Sequence, residues 1–161
     1  MGVKACQHVA VRVSDIDRAA RFYIEAFGGR WLTLPFEVEG PEMEELFGGH
    51  PGLRTRVCLL GFDEGCIELF QFLEPSTPPT AIDPPSNNII HWCIQVDDVA
   101  AALARVESLG GRPVRPLADW GGANFVYCTD LDGNVFELLD SSIADTVGRT
   151  LALFPDATPP S

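Results

Sequence analysis

His8-Val9-Ala10-Val11-Arg12-Val13 runs into Ser14-Asp15, a helical stretch and Gly28-Gly29, and His91-Trp92-Cys93-Ile94-Gln95-Val96 runs into Asp97-Asp98, a second helical stretch and Gly110-Gly111. The chain says the same thing twice. His8 to His91 is 83 positions and Gly28 to Gly110 is 82, so the two copies keep almost the same step. Each closes with a glutamate inside an apolar run, Cys66-Ile67-Glu68-Leu69-Phe70 and Val135-Phe136-Glu137-Leu138-Leu139. Repetition on this scale means two similar units sharing one sheet or core, because one unit alone leaves a sheet face and an edge exposed.

Periodicity fills in each copy. A strand is expected over residues 6–13. Ser14 is read as the cap of the next helix, its hydroxyl accepting from the Asp17 N–H, with Asp15 and Asp17 favoured by the helix dipole. Ile16, Ala19, Ala20, Phe22, Tyr23, Ala26 and Phe27 recur at helical spacing, and Gly28-Gly29 ends the helix. Residues 30–36 read as a strand, 37–53 as a long Gly- and Glu-rich connection with a short helix at 42–47, and 54–60 with 66–73 as a hairpin. Five prolines at 75, 78, 79, 84 and 85 make 74–88 a linker. The second copy repeats the order: strand 89–96, helix 98–109 capped by Asp97, strands 112–116, 124–129 and 135–139, with Leu131-Asp132-Gly133-Asn134 as the turn between the last two. The whole is an α+β chain of two βαβββ modules in a single domain over 1–161: module one about 5–73, the linker 74–88, module two about 89–140, and a weakly helical tail over 141–161.

The bulk numbers narrow the function. With 161 residues, 46% hydrophobic, and a mean hydropathy of +0.10, the chain suits one compact domain. No apolar run reaches the roughly 20 residues a bilayer needs, and the N-terminus moves straight into a strand without a signal-peptide core, so a cytoplasmic protein with no membrane partner is expected. A net charge of −12 repels phosphate backbones and argues against nucleic acid. Cys6, Cys58, Cys66, Cys93 and Cys128 are odd in number and form no C-x-x-C pair, which reads as reduced, buried thiols.

Strand alternation carries the chemistry. Val9, Val11 and Val13 share the face that covers the helix; His8, Ala10 and Arg12 look the other way, as His91, Cys93 and Gln95 do in the repeat. Glu68 shares a face with Cys66, Phe70 and Phe72, and Glu137 with Val135 and Leu139. One histidine on a strand is ordinarily a hydrogen-bonded core or edge residue, and one glutamate is ordinarily solvated. Four such residues at equivalent places in two copies are a different matter. Unpaired, each is costly to bury among apolar neighbours; if the copies face each other, His8, Glu68, His91 and Glu137 become the ligands of one metal. Two imidazoles and two carboxylates suit one divalent ion, Zn²⁺, Ni²⁺, Co²⁺, Mn²⁺ or Fe²⁺. An ion of five or six ligands then keeps places for substrate, as a Lewis-acid site requires.

These segments, with Asp15…Phe22-Tyr23 and above all Asp130-Leu131-Asp132-Gly133-Asn134-Val135-Phe136-Glu137-Leu138, resemble the vicinal oxygen chelate superfamily over residues 5–140. That superfamily includes glyoxalase I, methylmalonyl-CoA epimerase, extradiol dioxygenases, and fosfomycin- and bleomycin-resistance proteins. The resemblance implies paired βαβββ modules in a cupped mixed sheet around a metal held by His8, Glu68, His91 and Glu137, a set most like bacterial glyoxalase I. It implies a divalent-metal-dependent isomerase or lyase of the glyoxalase or epimerase type acting on a small molecule. The ion would stabilise an enediolate or enolate, and Glu137 or Glu68 would act as the base. Arg12, Gln95, Phe70 and Trp120 are candidate substrate contacts: Arg12 and Gln95 on the ligand face, Trp120 at the mouth, Phe70 with Phe72 as apolar wall. Glutathione fits an acidic chain poorly, with Arg54, Arg56 and Arg115 as its basic contacts. Two alternatives stand beside this reading: an Fe²⁺ dioxygenase on the same scaffold, and a binding or resistance protein without turnover. By analogy a homodimer is expected, with the modules paired within a chain or exchanged between chains.

Overall fold

Exposure alternates along β1 (His8–Arg12), with Val11 buried and His8 and Ala10 exposed, so the strand turns its valine face to a helix. The structure is a computed structural model that describes residues 6–76 and 89–157. Most of the proline-rich linker, including Pro78, Pro79, Pro84 and Pro85, lies outside the described residues.

The helix that follows is α1 (Ile16–Phe27), which buries Ile16, Ala19, Ala20, Phe22 and Tyr23. This is the stripe that helical spacing predicts, and each large side chain in it contributes about 1.5–3 kcal/mol by leaving water. Gly28 ends the helix at φ 69, a left-handed conformation that glycine takes without strain. The cap differs from expectation: Asp15, not Ser14, accepts from the Arg18 N–H at 3.0 Å. In α3 (Val99–Ser108) Asp98, not Asp97, accepts from the Ala101 N–H at 2.9 Å. In both copies the cap directly precedes the first buried side chain, Ile16 or Val99. With two capping residues in a row, burial of that apolar residue sets which one binds the open N–H groups. Ser14 instead bonds the Asp132 carboxylate through its hydroxyl and its N–H.

The chain divides into two compact units, Met1–Ile90 with Asp130–Asn134, and His91–Thr129 with Val135–Ser161. In the first, β1 pairs in parallel with β5 (Cys66–Glu74), β5 antiparallel with β4 (Arg54–Gly61), and β4 antiparallel with β2 (Arg30–Trp31) and β3 (Phe36–Glu39). In the second, β6 (Trp92–Gln95) pairs in parallel with β10 (Val135–Leu139), β10 antiparallel with β9 (Ala123–Thr129), and β9 antiparallel with β7 (Arg112–Pro113) and β8 (Ala118–Trp120). The two five-stranded mixed sheets have the same strand order, so the repeat is a repeat of topology.

Four elements depart from the sequence reading. The strand expected at 89–96 is only β6, and His91 directly precedes it. The strand expected at 30–36 is two, β2 and β3. Between them Thr33 Oγ1 accepts from the Leu59 N–H at 3.0 Å, and Pro35 has no N–H to give the ladder. The strand expected at 112–116 is only β7, with Pro113 and Pro116 limiting it. β8 was not foreseen, since its three residues are all exposed and show no alternation. The insertion of the first unit contains α2 (Pro41–Leu46), with proline in its first turn. The tail forms α4 (Ile143–Leu153) and a 3-10 turn, Pro155–Ala157. No helix among the described residues is long and apolar enough to cross a membrane. All five cysteines are free thiols, but only Cys58 and Cys128 are buried, while Cys6 and Cys93 are exposed.

The turn of the last hairpin is built into the first unit. Asp130 is buried, and its carboxylate accepts four hydrogen bonds, each 2.9 Å: from the Tyr23 hydroxyl, the N–H groups of Asp132 and Asn134, and Asn134 Nδ2. The second hydrogen of that amide goes to the Arg12 carbonyl at 3.0 Å. Burial raises the Asp130 carboxyl above its ordinary range against the pull of those donors. Burial, then the Asp130 carboxylate, holds the Tyr23 hydroxyl well above the ordinary range of a phenol, so it remains a donor at neutral pH.

Candidate metal centre

Parallel pairing of first and last strand puts a histidine beside a glutamate in each unit. Ala10 lies opposite Glu68 on β1 and β5, and Cys93 lies opposite Glu137 on β6 and β10. His8 stands two residues earlier on β1, hence on the same face; His91 directly precedes β6. His8 Nε2 is 3.4 Å from Glu68 Oε2, and His91 Nε2 is 3.3 Å from Glu137 Oε2. The side chains are partly open to solvent, 37% and 21% exposed in the first pair and 24% and 16% in the second. Each unit thus presents one imidazole nitrogen and one carboxylate. Among the described residues no three His, Cys, Asp or Glu side chains form a group that could hold a metal.

The two glutamates match in register but not in neighbours. Across its two strands Glu68 faces Ala10 and Leu59, while Glu137 faces Cys93 and Tyr127. The Cys93 thiol hydrogen-bonds Glu137; desolvation, then that carboxylate, pushes the thiol up to about 12, so at neutral pH it is a protonated donor. The Tyr127 ring meets His91 edge-on, with centroids 4.9 Å apart, and desolvation followed by Glu137 raises its hydroxyl as well. The second pair is therefore steadied from both sides, and the first opens onto space.

That space is a cavity of about 420 Å³ in the first unit, lined by Ala10, Val11, Arg12, Leu46, Phe47, Glu68, Phe70 and Phe72. Of the candidate substrate contacts, Arg12 and Phe70 lie here beside Glu68. Gln95 is exposed at the end of β6, opposite Leu139, and Trp120 is 37% exposed on β8; neither lines this cavity. The sequence reading missed Leu46 and Phe47, which come from α2 and the residue after it. A signal for them was present: the connection that carries them has no counterpart of its length in the second copy.

The sequence profile of the Glyoxalase/Bleomycin resistance protein/Dioxygenase superfamily matches residues 5–138. A lactoylglutathione lyase of Schizosaccharomyces pombe is 28% identical over 148 residues, which are 88% of this chain and 49% of that protein. A lactoylglutathione lyase of Arabidopsis thaliana is 27% identical over 135 residues, 82% of this chain and 42% of that protein. The chain spans about half the length of these relatives. The uncharacterized protein YaeR of Escherichia coli is 28% identical over 141 residues, 87% of this chain and 98% of that protein.

Among solved structures, a glyoxalase family protein from Bacillus cereus superposes with a TM-score of 0.77 at 17% identity, covering 86% of this chain and 95% of that one. Glyoxalase I from Zea mays gives 0.58 at 24%, covering 84% and 44%. The Listeria monocytogenes fosfomycin resistance protein FosX, in complex with Mn(II) and sulfate, gives 0.62 at 14%, covering 91% and 99%. These likenesses show the fold, and the profile covers most of the length: the chain belongs to the Glyoxalase/Bleomycin resistance protein/Dioxygenase superfamily.

Proposed function

We propose that this protein is a divalent-metal-dependent isomerase or lyase of the glyoxalase or epimerase type, acting on a small molecule with two neighbouring oxygens. One observation carries the reading: two His–Glu pairs, 3.4 Å and 3.3 Å across, stand at the first and last strands of two sheets with the same strand order. Their donors fit a borderline divalent ion. His8, Glu68, His91 and Glu137 would hold it once two modules face each other, within one chain or across a cytoplasmic homodimer. When bound, the ion supplies Lewis acidity to the substrate oxygens. The chain supplies the rest. A glutamate carboxylate takes the proton from the carbon next to the carbonyl, the bonding pair moves onto the oxygens, and the carboxylic acid returns the proton to that carbon or its neighbour. Lactoylglutathione lyases among the relatives and the Mn(II) complex of a protein of the same fold support both the reaction class and the metal.

The test is a 2-oxoaldehyde offered with a thiol to protein loaded in turn with Ni²⁺, Co²⁺, Zn²⁺, Mn²⁺ and Fe²⁺, following product and dissolved O₂ together. Metal-dependent isomerisation without O₂ uptake is expected. O₂ consumption with Fe²⁺ would move the assignment to a dioxygenase. Small-molecule binding that is equal with and without metal, and no turnover, would move it to a binding protein.

A further inference from the structure

The insertion that carries α2 breaks the repeat at one place and sets Leu46 and Phe47 over the strands of His8 and Glu68. Phe47 meets Phe70 with centroids 5.5 Å apart and planes at 63°, and meets Phe72 at 5.3 Å and 89°. Phe70 and Phe72 lie 6.4 Å apart and 28° from parallel. The three half-buried rings make an open-sided cup, and Ala10, the residue opposite Glu68, is small enough to leave its floor clear. In the second unit the equivalent position is Cys93, which bonds Glu137. Among the described residues Glu68 and Arg12 are the only charged groups in the wall, and the Arg12 guanidinium lies 5.5 Å from the Phe72 ring centre.

We propose that this cup is the subsite for a flat apolar group, an aryl ring, on a substrate whose paired oxygens lie at Glu68. The claim rests on the metal-site reading and adds the substrate class to it. An apolar cavity of roughly 150 Å³ accepts benzene, so about 420 Å³ holds one ring and the arm that carries the oxygens. Ring walls add edge and stacking contacts to plain area burial, which favours a ring over an alkyl chain of equal size. A peptide-like thiol with several carboxylates finds few donors in such a wall.

Two hydroxamates test this, because they share one vicinal-oxygen chelating head and differ in the group behind it. Calorimetry on the metal-loaded protein is expected to show benzohydroxamate binding roughly ten- to a hundred-fold more tightly than acetohydroxamate, from the area a phenyl ring buries. Phe47→Ala should erase most of that ratio and leave acetohydroxamate unchanged; Phe72→Leu, checked for folding by circular dichroism, should reduce it. Equal affinities in wild type would overturn the aryl subsite with the metal centre intact. If neither hydroxamate binds, the metal reading fails and the cup is decided by NMR of the metal-free protein titrated with benzyl alcohol. Methyl shifts confined to Ala10, Val11 and Leu46, and absent in Phe47→Ala, support the subsite; no shifts there overturn it.

Discussion

Glu137→Gln is expected to weaken binding of the divalent ion by at least ~100-fold, since partners outside the ligand shell already cost 10–100-fold when removed. The amide keeps the shape of the side chain and removes the charge. Glu137 is 16% exposed and sits 3.3 Å from His91, with Cys93 and Tyr127 on either side. Glu68→Gln should act in the same direction. In both variants the fold is expected to hold, because these side chains line an open face and carry none of the core. Competition with a chelating dye measures the affinity, and thermal unfolding of the metal-free proteins checks that only binding has changed.

Asp130→Ala is expected to destabilise the protein by about 3–5 kcal/mol, as one side chain holds four donors and each buried donor left unpaired costs about 1–3 kcal/mol. The Tyr23 hydroxyl, the N–H groups of Asp132 and Asn134, and Asn134 Nδ2 all lose their acceptor, and the turn loosens from the first unit. Asp130→Asn should cost less, about 1–2 kcal/mol: its amide oxygen can keep the two backbone donors while its NH₂ meets Asn134 Nδ2 donor to donor. The charge itself gives no compensating gain at neutral pH. Folding raises the Asp130 carboxyl, so what this group's titration contributes is present below the unfolded value, about 3.9, and is lost as pH rises through the folded one. Urea midpoints at constant slope, read at pH 7, separate the two variants.

The repeat made the larger part of this legible. His8, Glu68, His91 and Glu137 could be singled out because they fall at equivalent places of the two copies; that each histidine stands within 3.4 Å of its own unit's glutamate follows from parallel pairing of the first and last strand, which the sequence order does not show. Capping was harder: Ser14-Asp15 and Asp97-Asp98 each offer two acceptors, and burial of Ile16 or Val99, a tertiary fact, chooses between them. β8 carries no periodic signal because it has no buried face. The cup was half visible. Phe70 and Phe72 alternate with Glu68 on one strand, whereas Phe47 comes from a short exposed helix that only packing can place. The role of Asp130 was also out of reach, since its partner Tyr23 lies 107 positions away and reads in sequence as one more apolar helix position.

The central claim is that two His–Glu pairs make one metal site, and stoichiometry decides it. The protein would be stripped with chelator, loaded with each divalent ion in turn, and measured by elemental mass spectrometry with oligomeric state determined in parallel. The account predicts one ion per chain, lost alike in His8→Ala, Glu68→Gln, His91→Ala and Glu137→Gln. No bound ion, or ions that persist when either pair is removed, would contradict it.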